Sequence, residues 1–315
     1  MTKDPTSNRK GGVTRFAPSL TGFAHPGTLF SALLVWCTGQ KLGLKTILRL
    51  DDLDRPRYKS EYEHAMLEAL DWLGIGFDET LKQSTRGESY QHHLDLLLKE
   101  RLLYSCQCTR KELQARSTQS PDGGWAYDNK CRAHTLHTLN DSNVEQNIRV
   151  ALKNRPEKLL GADGKEVVIN PHAQFGDPIA IKKDLSPSYH FSTVVDDIEH
   201  KVTHIIRGAD LFYSSFIHSS LYDVFDAPKP TFYFHPLILS TPDTKMSKSH
   251  KSLNYRELKK TIDAEQLLGL FAQFLGIKLT SNLAGPGDIL EGFAWKHMPH
   301  QDIPWPSPPK RPVSS

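Results

Sequence analysis

From Val13 to Asp54 the chain reads as strand, loop, helix and strand, and the second strand stops abruptly in Asp51-Asp52-Leu53-Asp54. Val13-Thr14-Arg15-Phe16-Ala17 is a short β-rich run, and Pro18-Ser19-Leu20-Thr21-Gly22 breaks it. An apolar helical run through Leu29, Leu33, Trp36 and Gln40 then ends at Gly43, and Thr46-Ile47-Leu48-Arg49-Leu50 returns to β character. Strand and helix in alternation build an α/β fold with a parallel sheet. Acidic side chains gathered just past the carboxyl end of a strand lie where open α/β sheets bind their ligands.

The sheet is expected to continue, but with an interruption. Ser60 with Glu63 three residues on predicts a capping box ahead of a stripe of Tyr62, Met66, Leu70 and Leu73, which Gly74 stops. Another helix is predicted around 94–103. Residues 106–155 are irregular, polar and rich in Cys, His and Gly, as an insertion would be, and apolar periodicity resumes near Ile179. Segments 192–197, 202–206 and 237–239 are predicted as strands, with a helix over 214–225 between the last two. Asp263 and Gln266 predict a capping box for a last helix with Leu267, Leu270, Phe271 and Phe274 on one face. The proline-rich tail from Pro299 is expected to be extended and poorly ordered.

Composition narrows the class without naming a partner. With 38% hydrophobic and 24% charged residues in 315, the chain has material for a core and is neither disordered nor fibrous. Lys+Arg 39 against Asp+Glu 36 leaves a formal +3, so any polyanion site must come from local clustering. There is no apolar run of about 18 residues and no apolar stretch in Met1 to Gly12, which predicts a cytoplasmic protein without a membrane partner. Cys37 reads as a small buried hydrophobe. Cys106, Cys108 and Cys131 lie close together and suggest a metal, with three reduced thiols as the alternative.

Two separated elements carry the chemistry: Arg15-Phe16-Ala17-Pro18-Ser19 running into His25-Pro26-Gly27-Thr28, and Lys245-Met246-Ser247-Lys248-Ser249. A histidine and a glycine at a helix start offer donors and a positive dipole end to a phosphate chain. A lysine loop supplies positive charge to a pyrophosphate leaving group. Guanidinium forks from Arg15 or Arg207 can grip a carboxylate, an acidic residue can hold an ammonium, and a tyrosine hydroxyl can work alongside. Lys245, Lys248 and Lys251 form the clearest local positive field. Lys259 and Lys260 read as a solvated helix face.

Together these elements resemble the two nucleotide-binding signatures of class I aminoacyl-tRNA synthetases. Arg15 to Leu29, Leu48 to Arg57, the cysteine cluster, Thr193 to Leu211 and the lysine loop are similar to the glutamyl branch in the same order, and in particular to the truncated glutamyl-Q tRNA(Asp) synthetases. The resemblance implies a Rossmann-like parallel-sheet core, with a zinc-bearing insertion and a small C-terminal helical segment. It implies activation of glutamate by ATP, with Mg²⁺, and transfer to queuosine in the anticodon of tRNA(Asp). It also implies catalytic and ATP-binding roles for His25, Gly27, Thr28, Lys245 and Lys248. For glutamate it implies Arg15, Phe16, Ala17, Pro18, Ser19, Asp51, Tyr189 and Arg207. One structural zinc would be held by Cys106, Cys108, Tyr127 and Cys131, with His134 and His137 as rivals for the fourth position.

The chain departs from the family pattern at three places: Asp51 where glutamate is usual, Leu20 where a second proline is usual, and Thr28 where many members have a second histidine. After Ser249 too little chain remains for an anticodon-binding domain, which favours the truncated branch. The expected organisation is a tail over 1–12, a first core half over 13–103, the insertion over 104–175, a second core half over 176–245, the lysine loop and helices over 246–298, and a tail over 299–315. A monomer is expected. The alternatives are a glutamyl-tRNA synthetase core that charges the tRNA 3′ end, and a non-catalytic RNA-binding paralogue.

Overall fold

The computed structural model describes residues 11–139, 146–241, 244–245 and 253–306. The first part of the chain forms β1 (Val13–Phe16), α1 (Pro26–Leu42), β2 (Lys45–Leu50), α2 (Ser60–Trp72), β3 (Glu79–Lys82), α3 (Gly87–Lys99), β4 (Leu103–Cys106) and α4 (Arg110–Arg116). The middle forms β5 (Asn147–Val150), β6 (Glu157–Leu160), β7 (Glu166–Ile169), α5 (Pro171–Gln174), β8 (Ile179–Ile181) and α6 (Tyr189–Glu199). The last part forms β9 (His204–Gly208), α7 (Phe212–Val224), β10 (Thr231–His235), β11 (Ile238–Thr241), β12 (Thr244–Lys245), α8 (Tyr255–Leu258), α9 (Ala264–Phe274), α10 (Pro286–Gly292) and β13 (Ile303–Pro304).

The central sheet runs β10-β9-β1-β2-β3, with every pair parallel. β2 and β3 extend it to one side of β1, whereas β9 and β10 come from far along the chain and lie on the other. The Val13 N–H donates to Thr203 Oγ1 at 3.0 Å across 190 residues. Such a reversal of strand order opens a crevice outside the carboxyl ends of the central strands. α1 is buried nearly all round, with Leu29, Phe30, Leu33, Leu34 and Val35 fully covered, because it packs against β1, β2, β9, α2 and α10. At Gly39 it packs directly on the sheet, where a Cβ would stand 2.2 Å from Thr46 Cγ2. Burial pushes the Cys37 thiol up to about 12, in keeping with a buried hydrophobe.

Between β3 and β9 the parallel sheet is interrupted. β4, β5 and β8 form a separate antiparallel sheet, and β6 pairs with β7 in a hairpin. Among the described residues no helix is long and apolar enough to cross a membrane.

Several elements differ from the sequence reading. Segment 192–197 is not a strand but the middle of α6. Ser188 caps that helix, its Oγ accepting from the Phe191 N–H at 3.3 Å, and Phe191, Val194 and Val195 fall on its buried side. Ser60 is the first residue of α2 and makes no side-chain cap. Glu63 is drawn instead to Lys82 Nζ at 2.6 Å and to the Tyr58 hydroxyl at 2.5 Å, a charge-assisted pairing stronger than a return to the backbone. The Asp263–Gln266 box is present, with the Asp263 N–H donating to Gln266 Oε1 at 2.8 Å. Strands β3 and β10, and β5 within the irregular stretch, were not anticipated. The tail does not hang free at its start: β13 pairs in parallel with β11. Met246, Ser247, Lys248, Ser249 and Lys251 lie outside the described residues.

Candidate active site

A cavity of about 1010 Å³ opens at the carboxyl ends of β1, β2, β9 and β10. Phe16, Ala17, Pro18 and Ser19 line it after β1, His25, Gly27 and Thr28 at the start of α1, and Asp51 after β2. Tyr189 and Ser192 of α6, Gly208 at the end of β9 and His235 at the end of β10 also line it, and Asp54, Arg57, Arg110, Lys182 and Asp210 bring further charge to the wall. The structure thus brings together residues read from the sequence on four separate segments. Arg15 and Arg207, each 4% exposed, are not part of the lining. Lys245 has its backbone in β12.

At the start of α1 the His25 backbone is extended, and its carbonyl accepts from the Thr28 and Leu29 N–H groups at 2.9 and 3.2 Å. No acidic residue occupies the first turn of this 17-residue helix, so its positive end meets the cavity without a counter-charge of its own. Gly27 leaves the His25 ring its place: a Cβ there would stand 3.0 Å from His25 Cε1 and 3.1 Å from Nδ1 and would push the ring aside.

Two of the departures from the family pattern meet in one contact. Leu20 N–H donates to the Asp51 carbonyl at 3.3 Å, and Asp51 N–H donates to the Pro18 carbonyl at 3.3 Å. A proline at position 20 has no N–H to give. The Asp51 carboxylate accepts from Arg49 Nε at 2.7 Å and from Arg49 Nη2 at 3.2 Å. Burial pushes the Asp51 carboxyl above its usual range while Arg49 pulls it back.

Beneath the cavity lies a buried cluster of charges that sequence reading largely missed. Arg15 Nε donates to both oxygens of Asp197, at 3.1 and 3.3 Å. Arg49 Nη1 reaches the same carboxylate at 2.8 Å, and Arg86 Nε donates to Asp196 at 3.2 Å. Gln83 and the Tyr90 hydroxyl also donate to Asp196, at 2.8 and 3.0 Å. Arg207 differs: its Nη1 donates to Ser215 Oγ at 3.0 Å and His218 Nδ1 at 3.3 Å, and its Nε has no partner among the described residues. Burial lowers its affinity for the proton, yet a guanidinium stays charged in a protein. Within this cluster four arginines (15, 49, 86 and 207) outnumber three aspartates (51, 196 and 197), and Arg207 is the one with no carboxylate partner among the described residues.

Three histidines join the site that no motif announced. His190 Nδ1 and His218 Nε2 are 3.1 Å apart, and the Tyr189 ring tilts against both, with centroids at 5.4 and 5.3 Å. His235 Nδ1 donates to the Pro236 carbonyl at 2.9 Å, leaving Nε2 as an acceptor. A signal did exist for Arg49, a charge inside the apolar run Thr46-Ile47-Leu48-Arg49-Leu50 and two residues from Asp51, hence on the same side of the strand.

In the insertion, the sulfurs of Cys106, Cys108 and Cys131 all lie within 4.8 Å of one another. The Tyr127 hydroxyl accepts from the Cys131 N–H at 3.0 Å and also touches the Cys106 thiol. Neither His134 nor His137 joins the cluster. Burial pushes the Cys106 thiol up, but Arg149, with Tyr127, outweighs it and the thiol is lowered. Burial pushes Cys108 up to about 11. Three close thiols and a phenol form a donor set that fits a tetrahedral thiophilic ion such as zinc.

Residues 13–282 match the family described as tRNA synthetases class I (E and Q), catalytic domain. The chain is 36% identical over 252 residues to a glutamate–tRNA ligase of Legionella pneumophila, covering 78% of this chain and 52% of that one. It is 33% identical over 250 residues to one of Aquifex aeolicus, covering 77% and 52%. The chain thus spans about half the length of the curated relatives it matches. A crystal structure of a glutamate tRNA ligase from Elizabethkingia meningosepticum, in complex with its amino acid, superposes with a TM-score of 0.78 at 25% identity, covering 94% of this chain and 67% of that one. With the family model matched over 13–282 and the parallel-sheet core of the solved ligase reproduced, this chain belongs to the class I tRNA synthetases of the glutamyl and glutaminyl type.

Proposed function

We propose that this chain activates glutamate with ATP and passes the glutamyl group to a hydroxyl of queuosine in tRNA(Asp). The observation that carries the amino acid is the charge count beneath the cavity. The cluster is one carboxylate short, and the missing one belongs beside Arg207. Glutamate, with two carboxylates and one ammonium, brings a net charge of minus one, whereas its amide brings none. Tyr189 and Asp51 would flank it, Asp51 using the oxygen lone pairs that Arg49 leaves free to hold the α-ammonium.

In the first step the glutamate α-carboxylate oxygen attacks the α-phosphorus of ATP, the bond to the bridging oxygen breaks, and pyrophosphate leaves with the electron pair. His25, the N–H groups at the start of α1, Thr28, Lys245 and Lys248 would meet the phosphate charge, with Mg²⁺ accompanying the nucleotide. In the second step a tRNA hydroxyl oxygen attacks the acyl carbon and AMP leaves, the hydroxyl proton passing to solvent. No covalent enzyme intermediate is required, so positioning supplies most of the rate. Cys106, Cys108, Cys131 and Tyr127 would hold zinc, which would serve there to fasten the insertion. What supports the queuosine acceptor is the resemblance to the truncated glutamyl-Q branch, since the order of the motifs is shared with the ligases that charge the tRNA 3′ end.

The test is transfer of labelled glutamate, with ATP, to tRNA(Asp) with and without queuosine. Label on the queuosine-containing tRNA alone is the expected result. Label on both forms would make this a 3′-end charging core, and label from glutamine at a rate equal to glutamate would overturn the charge argument.

A further inference from the structure

We propose that His218 is a positioning residue for amino-acid recognition: it aims the Arg207 guanidinium through a neutral acceptor, and so leaves that charge free for a substrate carboxylate. The inference rests on the reading of the cavity as a glutamate site.

The hydrogen-bond polarity follows from the chemistry of the donors. A guanidinium only donates, so His218 Nδ1, 3.3 Å from Arg207 Nη1, carries no proton. The His218 proton is then on Nε2 and is donated to His190 Nδ1 at 3.1 Å, which places the His190 proton on Nε2. Ser215 offers Arg207 an oxygen at 3.0 Å while donating its own hydrogen to the Leu211 carbonyl at 2.7 Å. Arg207 of β9 is therefore held by α7 through two acceptors, neither of them charged.

The contrast within the same cluster is direct. Arg15 and Arg49 are fixed by the Asp197 carboxylate, which orients them and cancels charge at once. At Arg207 these two effects are separated. His218 is fully buried, and burial, Arg207 and then His190 hold it well below its ordinary range, with Arg15 and Arg49 adding to this. Burial and Arg207 bring His190 down to about 4, with Asp122 of the insertion pulling the other way. Both rings stay neutral, and Tyr189, 43% exposed, roofs them on the cavity side.

The experiment measures the dissociation constants of glutamate and of ATP by calorimetry for the wild type, His218→Gln, His218→Leu and His218→Glu. The glutamine variant keeps an acceptor for Arg207 and a donor for His190, and should stay within about threefold of wild type. The leucine variant should weaken glutamate by about tenfold to a hundredfold with ATP unchanged, the range of a hydrogen bond to a charged group. The glutamate variant should lose glutamate binding, because its carboxylate occupies the charge. Equal behaviour of the glutamine and leucine variants, or parallel loss of ATP, would overturn the inference, since a merely structural histidine gives one of those patterns. A wild type that binds ATP but not glutamate would sink the functional reading and this inference together. A wild type that binds glutamate beside an unaffected leucine variant would sink the inference alone.

Discussion

Gly27 shows how little side-chain volume the phosphate end of the cavity leaves over. A methyl group there would press on the His25 ring at 3.0 Å, a contact with a side chain and not with the backbone, so that the ring is what must give. Gly27→Ala is therefore expected to separate stability from activity. Alanine in the first turn of α1 should hold or raise stability by up to about 1 kcal/mol, while the activation rate falls tenfold or more. Thermal melts beside pyrophosphate-exchange rates check this, and an equal fall in both would refute it. At this scale the sequence exposed the motif residues but not their environment. Arg15 and Arg207 were legible as carboxylate binders, yet the structure ties Arg15 to Asp197 and leaves Arg207 with no carboxylate partner among the described residues. Asp196 and Asp197 were invisible because no local pattern marks a residue whose partners lie more than a hundred positions away, and His218 because its partners, 11 and 28 positions off, sit on a different strand and a different helix.

Elements were legible where one local signal governed them. α1, β2 and α9 follow from apolar runs with clear stops. α6 was misread because Val194-Val195 is a β-branched pair, and the helix is decided by the Ser188 cap and by burial of Phe191, Val194 and Val195 on one side. Short strands such as β3, half-exposed along its length, carry too few residues for periodicity to register. The insertion supplies a prediction of its own. Gly176 has φ +76° and a Cβ there would lie 1.9 Å from the Tyr127 carbonyl oxygen, so Gly176→Ala must displace Tyr127, the residue proposed to join the three thiols in holding zinc. The expected cost is about 2 kcal/mol or more, together with loss of bound zinc from the purified protein. Metal content equal to wild type would detach Tyr127 from the site.

For the molecule as a whole, two buried imidazoles, His218 and His235, and the half-buried His190 make acid the vulnerable direction. His190, brought down to about 4, His218, held well below its usual range, and His235, lowered by burial, all take up protons more readily when unfolded. The stability they contribute is present above about pH 6.5, the ordinary histidine value. It is lost as pH falls, from about 6.5 to about 4 for His190 and further for His218, at up to about 1.4 kcal/mol per pH unit for each proton. Urea titrations at pH 7.5 and 5 should show that loss, and His190→Gln should make it shallower; an unchanged slope would remove His190 from the account. The order of strands in the central sheet has a further consequence, for synthesis. β1 is the middle strand, yet its partner on one side leaves the ribosome 190 residues later. At roughly 5–20 residues per second that is a wait of about 10–40 s with one hydrogen-bonding edge open. The newborn chain is at its most adhesive along the strand that will later lie deepest, and slower growth in the cold should lengthen that exposure and call for chaperone cover.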